Sequence, residues 1–286
     1  MTISDKNKEI LDHIGLIALD LDRTLLTKAG LTAGTKVCLE EAIKRGIQVV
    51  IATGRPYVAL PESIREIDGL DYVICSNGAH IADLRSGEFI FSDYIPLQAS
   101  AWVREYLKPL GFTVEVFTEG SAYIQQDRYD YYKANIGIIE GAEYTTRTRT
   151  PVSDIWQFWK DHENKIENIN ILFNDPEDKK RMAMELTAKE SIGFTLTSSM
   201  SYNLEVGGLN TSKANALKEF SSISGIPLKR VMSFGDSPND SAMIIESGFG
   251  VAMGNAVDEV KAVADYIAPS NEDEGVMKTI NELLLK

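Results

Sequence analysis

The chain has 286 residues, a formal net charge of −13 at pH 7 and 44% hydrophobic residues. This apolar content excludes a disordered chain, and the length favours two domains over one. The acidic balance argues against a partner that is a nucleic acid or an anionic membrane surface, because both attract a basic protein face.

The first third of the chain alternates between predicted strands and helices. Apolar runs and amphipathic stretches alternate over residues 16–19, 35–46, 47–52, 57–67 and 71–75. Continuous apolar strands are typical of a parallel sheet that is buried on both faces. The order predicts an α/β fold with a doubly wound, mainly parallel, Rossmann-like sheet. A hairpin with its turn at residues 85–87 is predicted to follow, over residues 79–91.

The middle of the chain has a different pattern. Helices are predicted over residues 97–110 and 176–189, and strands over residues 112–117, 122–125, 168–173, 194–197 and 202–205. Asp175, which precedes Pro176, marks the start of the second helix. Trp156, Phe158 and Trp159 are predicted to pack in an apolar core here. Helices followed by hairpins predict an α+β domain with an antiparallel sheet.

The first pattern resumes after Gly207. Helices are predicted over residues 211–221, 237–247, 257–264 and 274–285, and strands over residues 230–234, 250–253 and 266–268. Residues 1–93 and 208–286 are therefore predicted to form one discontinuous α/β domain, and residues 94–207 an inserted α+β domain.

The sequence also predicts a soluble cytoplasmic protein. Residues 1–15 carry no apolar core of a signal peptide, and no apolar run approaches the roughly 20 residues of a membrane-spanning helix. Cys38 and Cys75 cannot build a disulfide framework, and we expect both to be reduced and buried.

Four polar clusters follow predicted strands or begin predicted helices. They are Asp20 with Asp22 and Thr24, Thr53 with Gly54 and Arg55, Lys213 alone, and Asp236 with Asn239 and Asp240. In open α/β sheets, ligands bind beyond the carboxyl ends of the strands. On an extended chain the side chains of Asp20 and Asp22 leave the same face. Clustered carboxylates favour a hard divalent cation, which with phosphate substrates is usually Mg²⁺.

Each cluster has a structural interpretation as well. Asp20 and Asp22 fit a turn after a strand, and residues 53–55 fit a plain turn. Residues 236–240 fit a helix start with a capping residue, proline and an acid in the first turn. Lys213 alone fits a solvated lysine, although the first helical turn is unfavourable for a cation. The order of all four clusters along an α/β framework favours a shared functional site.

In this order the clusters resemble the motifs of the haloacid dehalogenase (HAD) superfamily of phosphatases, and within it the Cof-like subclass IIB. Residues 20–25, Thr53, Lys213 and residues 235–240 resemble its motifs one to four, and the similarity extends through residues 76–79 and 250–256. The resemblance implies that residues 1–93 and 208–286 form the catalytic core and residues 94–207 a cap domain.

The resemblance also implies roles for single residues. Asp20 is implied to be the nucleophile that forms an aspartyl-phosphate, and Asp22 the general acid and then the general base. The residues implied to hold the phosphoryl group are Thr53, Gly54, Arg55, Asn77, Lys213 and Asn239. Mg²⁺ is implied to bind Asp20, the backbone carbonyl of Asp22 and Asp236, with Asp240 supporting the site.

The implied activity is Mg²⁺-dependent hydrolysis of a small phosphorylated metabolite, such as a sugar phosphate, through an aspartyl-phosphate. Two alternatives stay open. A phosphomutase or phosphotransferase would pass the phosphoryl group to a sugar instead of water. A catalytically quiet metabolite-binding protein would keep the fold but has no need of the nucleophile.

One position departs from the family motif, which has Gly where this chain has Arg23. Because Asp20, Asp22 and Thr24 are retained, we expect an ordinary backbone conformation at Arg23, without positive φ. We expect its guanidinium to face solvent or to form a structural ion pair, with a substrate contact as the alternative.

Overall fold

A computed structural model describes residues 5–139 and 141–286, so residues 1–4 of the predicted core and Glu140 of the predicted cap lie outside the described residues. The chain divides into two compact units. The first comprises Met1–Gly54, Leu60–Phe91 and Ser212–Lys286, and the second comprises Arg55–Ala59 and Ser92–Thr211. The assignment of a catalytic core and a cap to residues 1–93, 208–286 and 94–207 stays a prediction.

Strands and helices alternate along much of the chain. The strands are β1 (Leu16–Asp20), β2 (Gln48–Ala52), β3 (Tyr72–Cys75), β4 (His80–Asp83), β5 (Phe89–Ser92), β6 (Thr113–Thr118), β7 (Ser121–Gln125), β8 (Arg149–Val152), β9 (Ile166–Leu172), β10 (Phe194–Thr197), β11 (Asn203–Gly208), β12 (Val231–Gly235), β13 (Phe249–Ala252) and β14 (Tyr266–Ile267). The α-helices are α1 (Asp5–Leu11), α2 (Ala33–Lys44), α3 (Glu62–Arg65), α4 (Leu97–Leu107), α5 (Gln126–Ala134), α6 (Ala142–Thr148), α7 (Ile155–Asp161), α8 (Pro176–Thr187), α9 (Lys213–Ser224), α10 (Ser241–Glu246), α11 (Asp258–Lys261) and α12 (Gly275–Leu283).

The first unit is built on a mainly parallel sheet. Among the described residues its strand order is β14-β13-β12-β1-β2-β3-β4-β5. Pairing is parallel from β14 to β3, and antiparallel between β3 and β4. Leu16 of β1 lies in register with Val231 on one side and Gln48 on the other. The predicted doubly wound α/β fold is confirmed, and the carboxyl ends of β1, β2 and β12 meet at one edge of the sheet.

Continuous apolar strands are needed because both faces of this sheet are covered. Every residue of β1 and of β12 is buried. On one face, Leu16 and Val50 share a core with Leu217 and Phe220 of α9. Helix α9 begins after Ser212, whose side chain accepts a hydrogen bond from the Asn215 amide. The packing of α9 and the N-terminal capping by Ser212 together determine the position of Lys213, the first residue of the helix.

The second unit contains an α+β arrangement, as predicted. Its described sheet has the order β10-β11-β9-β6-β7-β8, and the pairing is antiparallel except between β7 and β8. Trp159 is fully buried in the core of this unit and donates to Ser100 Oγ at 2.8 Å. Trp156 and Phe158 pack against the same core, which confirms the predicted packing role of these aromatic residues.

Several predicted helices differ from the structure. The helix predicted over residues 57–67 is a 3₁₀ turn at Tyr57–Ala59 followed by the short α3. Pro61 separates the two: it has an extended backbone with ψ 143° and no N–H to donate. The helix predicted over residues 237–247 likewise starts as a 3₁₀ turn, Pro238–Asp240, before α10. The helix predicted over residues 257–264 is limited to α11.

Two further expectations concern the thiols and the membrane. Cys38 and Cys75 are both buried, as expected, and neither forms a disulfide within the described residues. Within the described residues, no helix is both long enough and apolar enough to cross a bilayer.

Candidate active site

Three buried carboxylates meet at the carboxyl edge of the parallel sheet. Asp20 is the last residue of β1, Asp236 follows β12, and Asp240 ends the 3₁₀ turn after it. All three are buried, and each offers an oxygen within 4.8 Å of the others. Because β1 and β12 are parallel neighbours, residues far apart in sequence converge here. Such a group of carboxylates needs compensating positive charge.

Lys213 supplies part of that charge. Its Nζ donates to Asp20 Oδ1 and to Asp240 Oδ1, each at 2.6 Å. The lysine is 1% exposed, so this is a buried ion-pair network. Lys213 is the first residue of α9, and the Ser212 cap fixes the start of that helix. The ordinary interpretation of Lys213 as a solvated lysine is therefore wrong.

Asp240 links the turn after β12 to Lys213. Its Oδ2 accepts hydrogen bonds from the amides of Asp236 and Ser237, each at 3.0 Å, as part of a capping box. Its Oδ1 faces Lys213. The turn depends on Gly235, because a Cβ added there would lie 2.3 Å from Asp240 Cβ. The helix-start interpretation is thus confirmed for Asp240, and its functional role stays a prediction.

Asp236 has the feature expected of a cation ligand. Its carboxylate is 1% exposed, and its Oδ2 accepts no hydrogen bond from any described residue. Thr24 Oγ1 donates a long hydrogen bond to Oδ1, at 3.4 Å. A buried carboxylate oxygen that accepts no hydrogen bond from the described residues, beside the Asp20 carboxylate, fits a hard divalent cation.

The electrostatics of the cluster follow from burial and from mutual repulsion. Burial first, and then the charge of Asp240, raise the pKa of Asp20 well above its ordinary value, although Lys213 opposes this. The same two causes raise the pKa of Asp236 to about 6. Burial lowers the pKa of Lys213, but the charges and hydrogen bonds of Asp20 and Asp240 together raise it above its ordinary value, so Lys213 is a cation at neutral pH.

A second group of predicted residues lies at the ends of β2 and β3. The buried Thr53 donates its amide to Ile74 O at 2.9 Å, and its carbonyl accepts the Asn77 amide at 3.0 Å. Asn239 Nδ2 donates to Asn77 Oδ1 at 3.1 Å. A Cβ added to Gly54 would lie 3.0 Å from that same oxygen. Thr53, Gly54, Asn77 and Asn239 are therefore brought together within the first unit.

Gly78 allows a close approach between this loop and the start of α9. It has φ +100°, and a Cβ added to it would lie 2.3 Å from the carbonyl oxygen of Ser212. We expect Gly78→Ala to lower the free energy of unfolding by about 3 kcal/mol, because a backbone clash adds to left-handed strain. Urea unfolding measures this loss.

Gly46→Ala is a matched control for Gly78→Ala. Gly46 has φ +85°, and no described atom lies within 4 Å of an added Cβ. Strain alone should cost about 1 kcal/mol there. Equal losses in the two variants would contradict the role given to the contact with Ser212.

The remaining predicted residues are Asp22 and Arg55. Asp22 follows β1 at a partly exposed position and forms a bridge with Leu26. Arg55 belongs to the second unit, where its guanidinium lies 4.9 Å from the Tyr144 ring centroid and donates to Ala59 O at 3.2 Å. The catalytic role of Asp22 and the phosphate-binding role of Arg55 stay predictions.

The expectation for the Arg23 backbone was wrong. Arg23 has φ 62°, in the left-handed region that favours glycine. Asn255 Nδ2 donates to the Arg23 carbonyl at 2.8 Å and so stabilises this conformation. The glycine that the family motif has at this position is the sequence feature that indicates a positive φ. The guanidinium forms the expected structural ion pair, with Nε 3.3 Å from Asp236 Oδ2.

Comparisons with known proteins identify the family of this chain. A family model described as haloacid dehalogenase-like hydrolase matches residues 17–280. The chain belongs to this family. It is 29% identical to a protein named phosphatase YwpJ from Bacillus subtilis, over 94% of this chain and 99% of that protein. It is also 29% identical to 5-amino-6-(5-phospho-D-ribitylamino)uracil phosphatase YcsE from the same organism, over 95% and 96% of the two chains.

Solved structures show the same fold. A haloacid dehalogenase-like hydrolase from B. subtilis has a TM-score of 0.82 at 28% identity, covering 95% of this chain and all of the other. The subclass IIB sugar phosphatase BT4131 has a TM-score of 0.76 at 23% identity, covering 93% and 98% of the two chains. The resemblance predicted from the motifs is confirmed, and the chain is an enzyme of the hydrolase class.

Proposed function

We propose that this hydrolase is a Mg²⁺-dependent phosphatase that acts on a small phosphorylated metabolite, such as a sugar phosphate, through an aspartyl-phosphate. The observation that carries the proposal is the buried cluster in which Lys213 contacts Asp20 and Asp240 at 2.6 Å, with Asp236 beside them. A binding protein would have no use for a buried carboxylate that repels phosphate, whereas a nucleophile must occupy such a place.

The reaction has two displacements. In the first, a carboxylate oxygen of Asp20 attacks phosphorus, the bond from phosphorus to the ester oxygen breaks, and Asp22 gives its proton to the departing alcohol. In the second, Asp22 takes a proton from water, and the water oxygen attacks phosphorus. The bond from phosphorus to Asp20 then breaks, which releases inorganic phosphate and restores Asp20 as a carboxylate and Asp22 as a protonated acid.

Positive charge is needed because the nucleophile and the phosphate are both anions. Lys213 Nζ lies 2.6 Å from Asp20 Oδ1, where it offsets charge on the attacking group and on the phosphoryl oxygens. Asp20, the carbonyl of Asp22 and Asp236 would hold Mg²⁺, with Asp240 orienting Lys213. The cation, when bound, supplies further charge compensation for the phosphoryl group. Thr53, Gly54, Asn77 and Asn239 would orient the phosphoryl oxygens.

The substrate class is proposed from the relatives. YcsE of B. subtilis is named for a phosphorylated ribitylaminouracil. YbhA of Escherichia coli, 26% identical over 94% of this chain, is named a pyridoxal phosphate phosphatase. Both names denote small phosphorylated metabolites, and we infer the same class for this chain. We assign substrate selection to residues 94–207, the proposed cap.

A screen of metabolite phosphates tests the proposal. Each compound is incubated with the enzyme in Mg²⁺ and in a chelator, and Asp20→Asn serves as the blank. We expect release of inorganic phosphate from at least one compound, dependent on Mg²⁺ and without a sugar acceptor. Transfer to an added sugar in place of release would indicate a phosphotransferase. No turnover across a broad panel would refute the phosphatase.

The stability of the protein should depend on pH and Mg²⁺ together. Burial and Asp240 raise the pKa of Asp236 from 3.8 to about 6. The folded state therefore binds protons more tightly, and the resulting stabilisation is complete below about pH 3.8 and lost as pH rises through about 6. Added Mg²⁺ replaces that proton as the compensating charge.

We therefore expect Mg²⁺ to raise Tm clearly at about pH 7.5 and only slightly at about pH 5. Scanning calorimetry at both pH values measures the difference. Ca²⁺-free buffer and a parallel titration with sodium chloride separate specific binding from ionic strength. A Tm shift of equal size at both pH values would contradict competition between protons and Mg²⁺ at Asp236.

A further inference from the structure

Arg23 stands beside the proposed metal site in an unusual backbone conformation. Its φ of 62° is sterically unfavourable for a residue with a Cβ. Asn255 connects this peptide to another loop: Nδ2 donates to Arg23 O at 2.8 Å, and Oδ1 accepts the Asn271 amide at 3.0 Å. Asn271 Nδ2 donates in turn to Leu26 O at 2.8 Å. These hydrogen bonds hold the backbone of the loop at Arg23 and at Leu26, and so fix the position from which the Arg23 side chain extends.

The side chain of Arg23 points back to the carboxylate cluster. Its Nε lies 3.3 Å from Asp236 Oδ2, the buried oxygen that accepts no hydrogen bond from any described residue. The arginine side chain is 61% exposed, and the Asp236 side chain is 1% exposed. This is not an ordinary surface pair, because one partner is a buried carboxylate whose charge is costly to leave uncompensated.

The balance of charge shows what Arg23 contributes. The Asp20, Asp236 and Asp240 carboxylates carry three negative charges when ionised. Lys213 compensates one of them through its contacts to Asp20 and Asp240. Arg23 compensates a second and faces Asp236, which Lys213 does not contact in the described hydrogen bonds. A divalent cation and the guanidinium would therefore compete for the same oxygen.

We propose that Arg23 is an internal counter-cation for Asp236, which pairs with Oδ2 in competition with Mg²⁺ and weakens the affinity of the free enzyme for the metal. This inference rests on the proposed function, since it assumes that Asp236 is a metal ligand. It assigns Arg23 a positioning role and no contact with the reacting atoms.

Arg23→Gln tests the inference. It removes the positive charge and keeps most of the side-chain length. We expect isothermal titration of the metal-free protein to show a Kd for Mg²⁺ that is about three- to tenfold lower than in the wild type. The effect is limited to that range because Arg23 is largely exposed and its charge is screened. It should shrink when sodium chloride is added.

Three further variants make the result decisive. Arg23→Lys keeps the charge and should retain a Kd within twofold of the wild type. Arg23→Gly removes the charge at a backbone that glycine tolerates, so it should fold even if Arg23→Gln does not. Arg45→Gln removes an exposed arginine that pairs with Glu41, away from the cluster, and should leave the Kd unchanged.

The outcomes separate this inference from the proposed function. A lower Kd for Mg²⁺ in both Arg23→Gln and Arg23→Gly supports the role of Arg23 as a counter-cation. If the Kd for Mg²⁺ is unchanged or higher in these variants while the wild type binds Mg²⁺ normally, the proposed role of Arg23 is wrong. The proposed phosphatase activity is not affected by that result. A wild-type protein that shows no Mg²⁺ binding in the same titration overturns both.

Discussion

Asp20→Asn is expected to lower kcat by about 10⁴-fold or more, since the substitution removes the attacking oxygen and leaves no other route of comparable rate. The geometry explains why the effect should be on chemistry. Asp20 is held by Lys213 at 2.6 Å in a buried cluster, so asparagine can occupy the same volume without rearranging the strand end. An amide is a poor nucleophile and cannot carry the phosphoryl group.

The control for Asp20→Asn is Asp68→Asn, at an exposed position in the first unit. It makes the same chemical change and should leave kcat unchanged. Thermal unfolding and far-ultraviolet circular dichroism establish that both variants fold. After a brief reaction and acid quench, the wild type should retain labelled phosphate on the protein, and Asp20→Asn should not. A near-normal kcat in folded Asp20→Asn would refute the nucleophile.

The main architecture is predictable from sequence because buried parallel strands are continuous apolar runs. Leu16–Asp20 is fully buried, and its run of apolar residues indicates both its strand and its central place. Helix α5 in the second unit gives no such signal. Within Gln126–Ala134 only Tyr132 is buried among the described side chains, so no apolar stripe marks the helix.

Pro61 shows a different limit of sequence prediction. The residues around it are compatible with one helix, but a proline that takes an extended backbone divides it into a turn and α3. A proline in the first turn of a helix would have been tolerated, and the local pattern alone does not decide between the two.

The order of the short motifs predicts which residues belong to the candidate site. It does not predict which of their side chains are in contact. Asp20, Lys213 and Asp236 can be identified as a group because each follows a strand or begins a helix. The contact of Lys213 with Asp20 spans 193 positions, and no local pattern encodes it. The wrong backbone expectation for Arg23 overlooked the glycine of the family motif, whereas the Asn255 amide that stabilises the conformation lies 232 positions away and has no local signal.

Lys213→Met is expected to lower the free energy of unfolding by about 4 kcal/mol in the absence of Mg²⁺. Methionine fills much of the volume of the lysine stem but leaves Asp20 and Asp240 buried without their shared cation. Their mutual repulsion then adds to the cost of burial, and protonation of Asp20 relieves only part of it. We also expect kcat to fall by at least about 10²-fold, because a charge beside the nucleophile is lost.

Lys218→Met is the matched control, since Lys218 lies on the same helix α9 and forms an exposed ion pair with Glu246 at 2.8 Å. It should cost no more than about 0.5 kcal/mol. The double variant Asp20→Asn with Lys213→Met should recover more than about 1 kcal/mol relative to Lys213→Met, because one buried charge is removed. Urea unfolding of the wild type, Asp20→Asn, Lys213→Met and the double variant measures the coupling free energy between the two residues. If the two substitutions are additive, then Lys213 stabilises the fold through packing alone, and its charge is not what holds Asp20 ionised in the site.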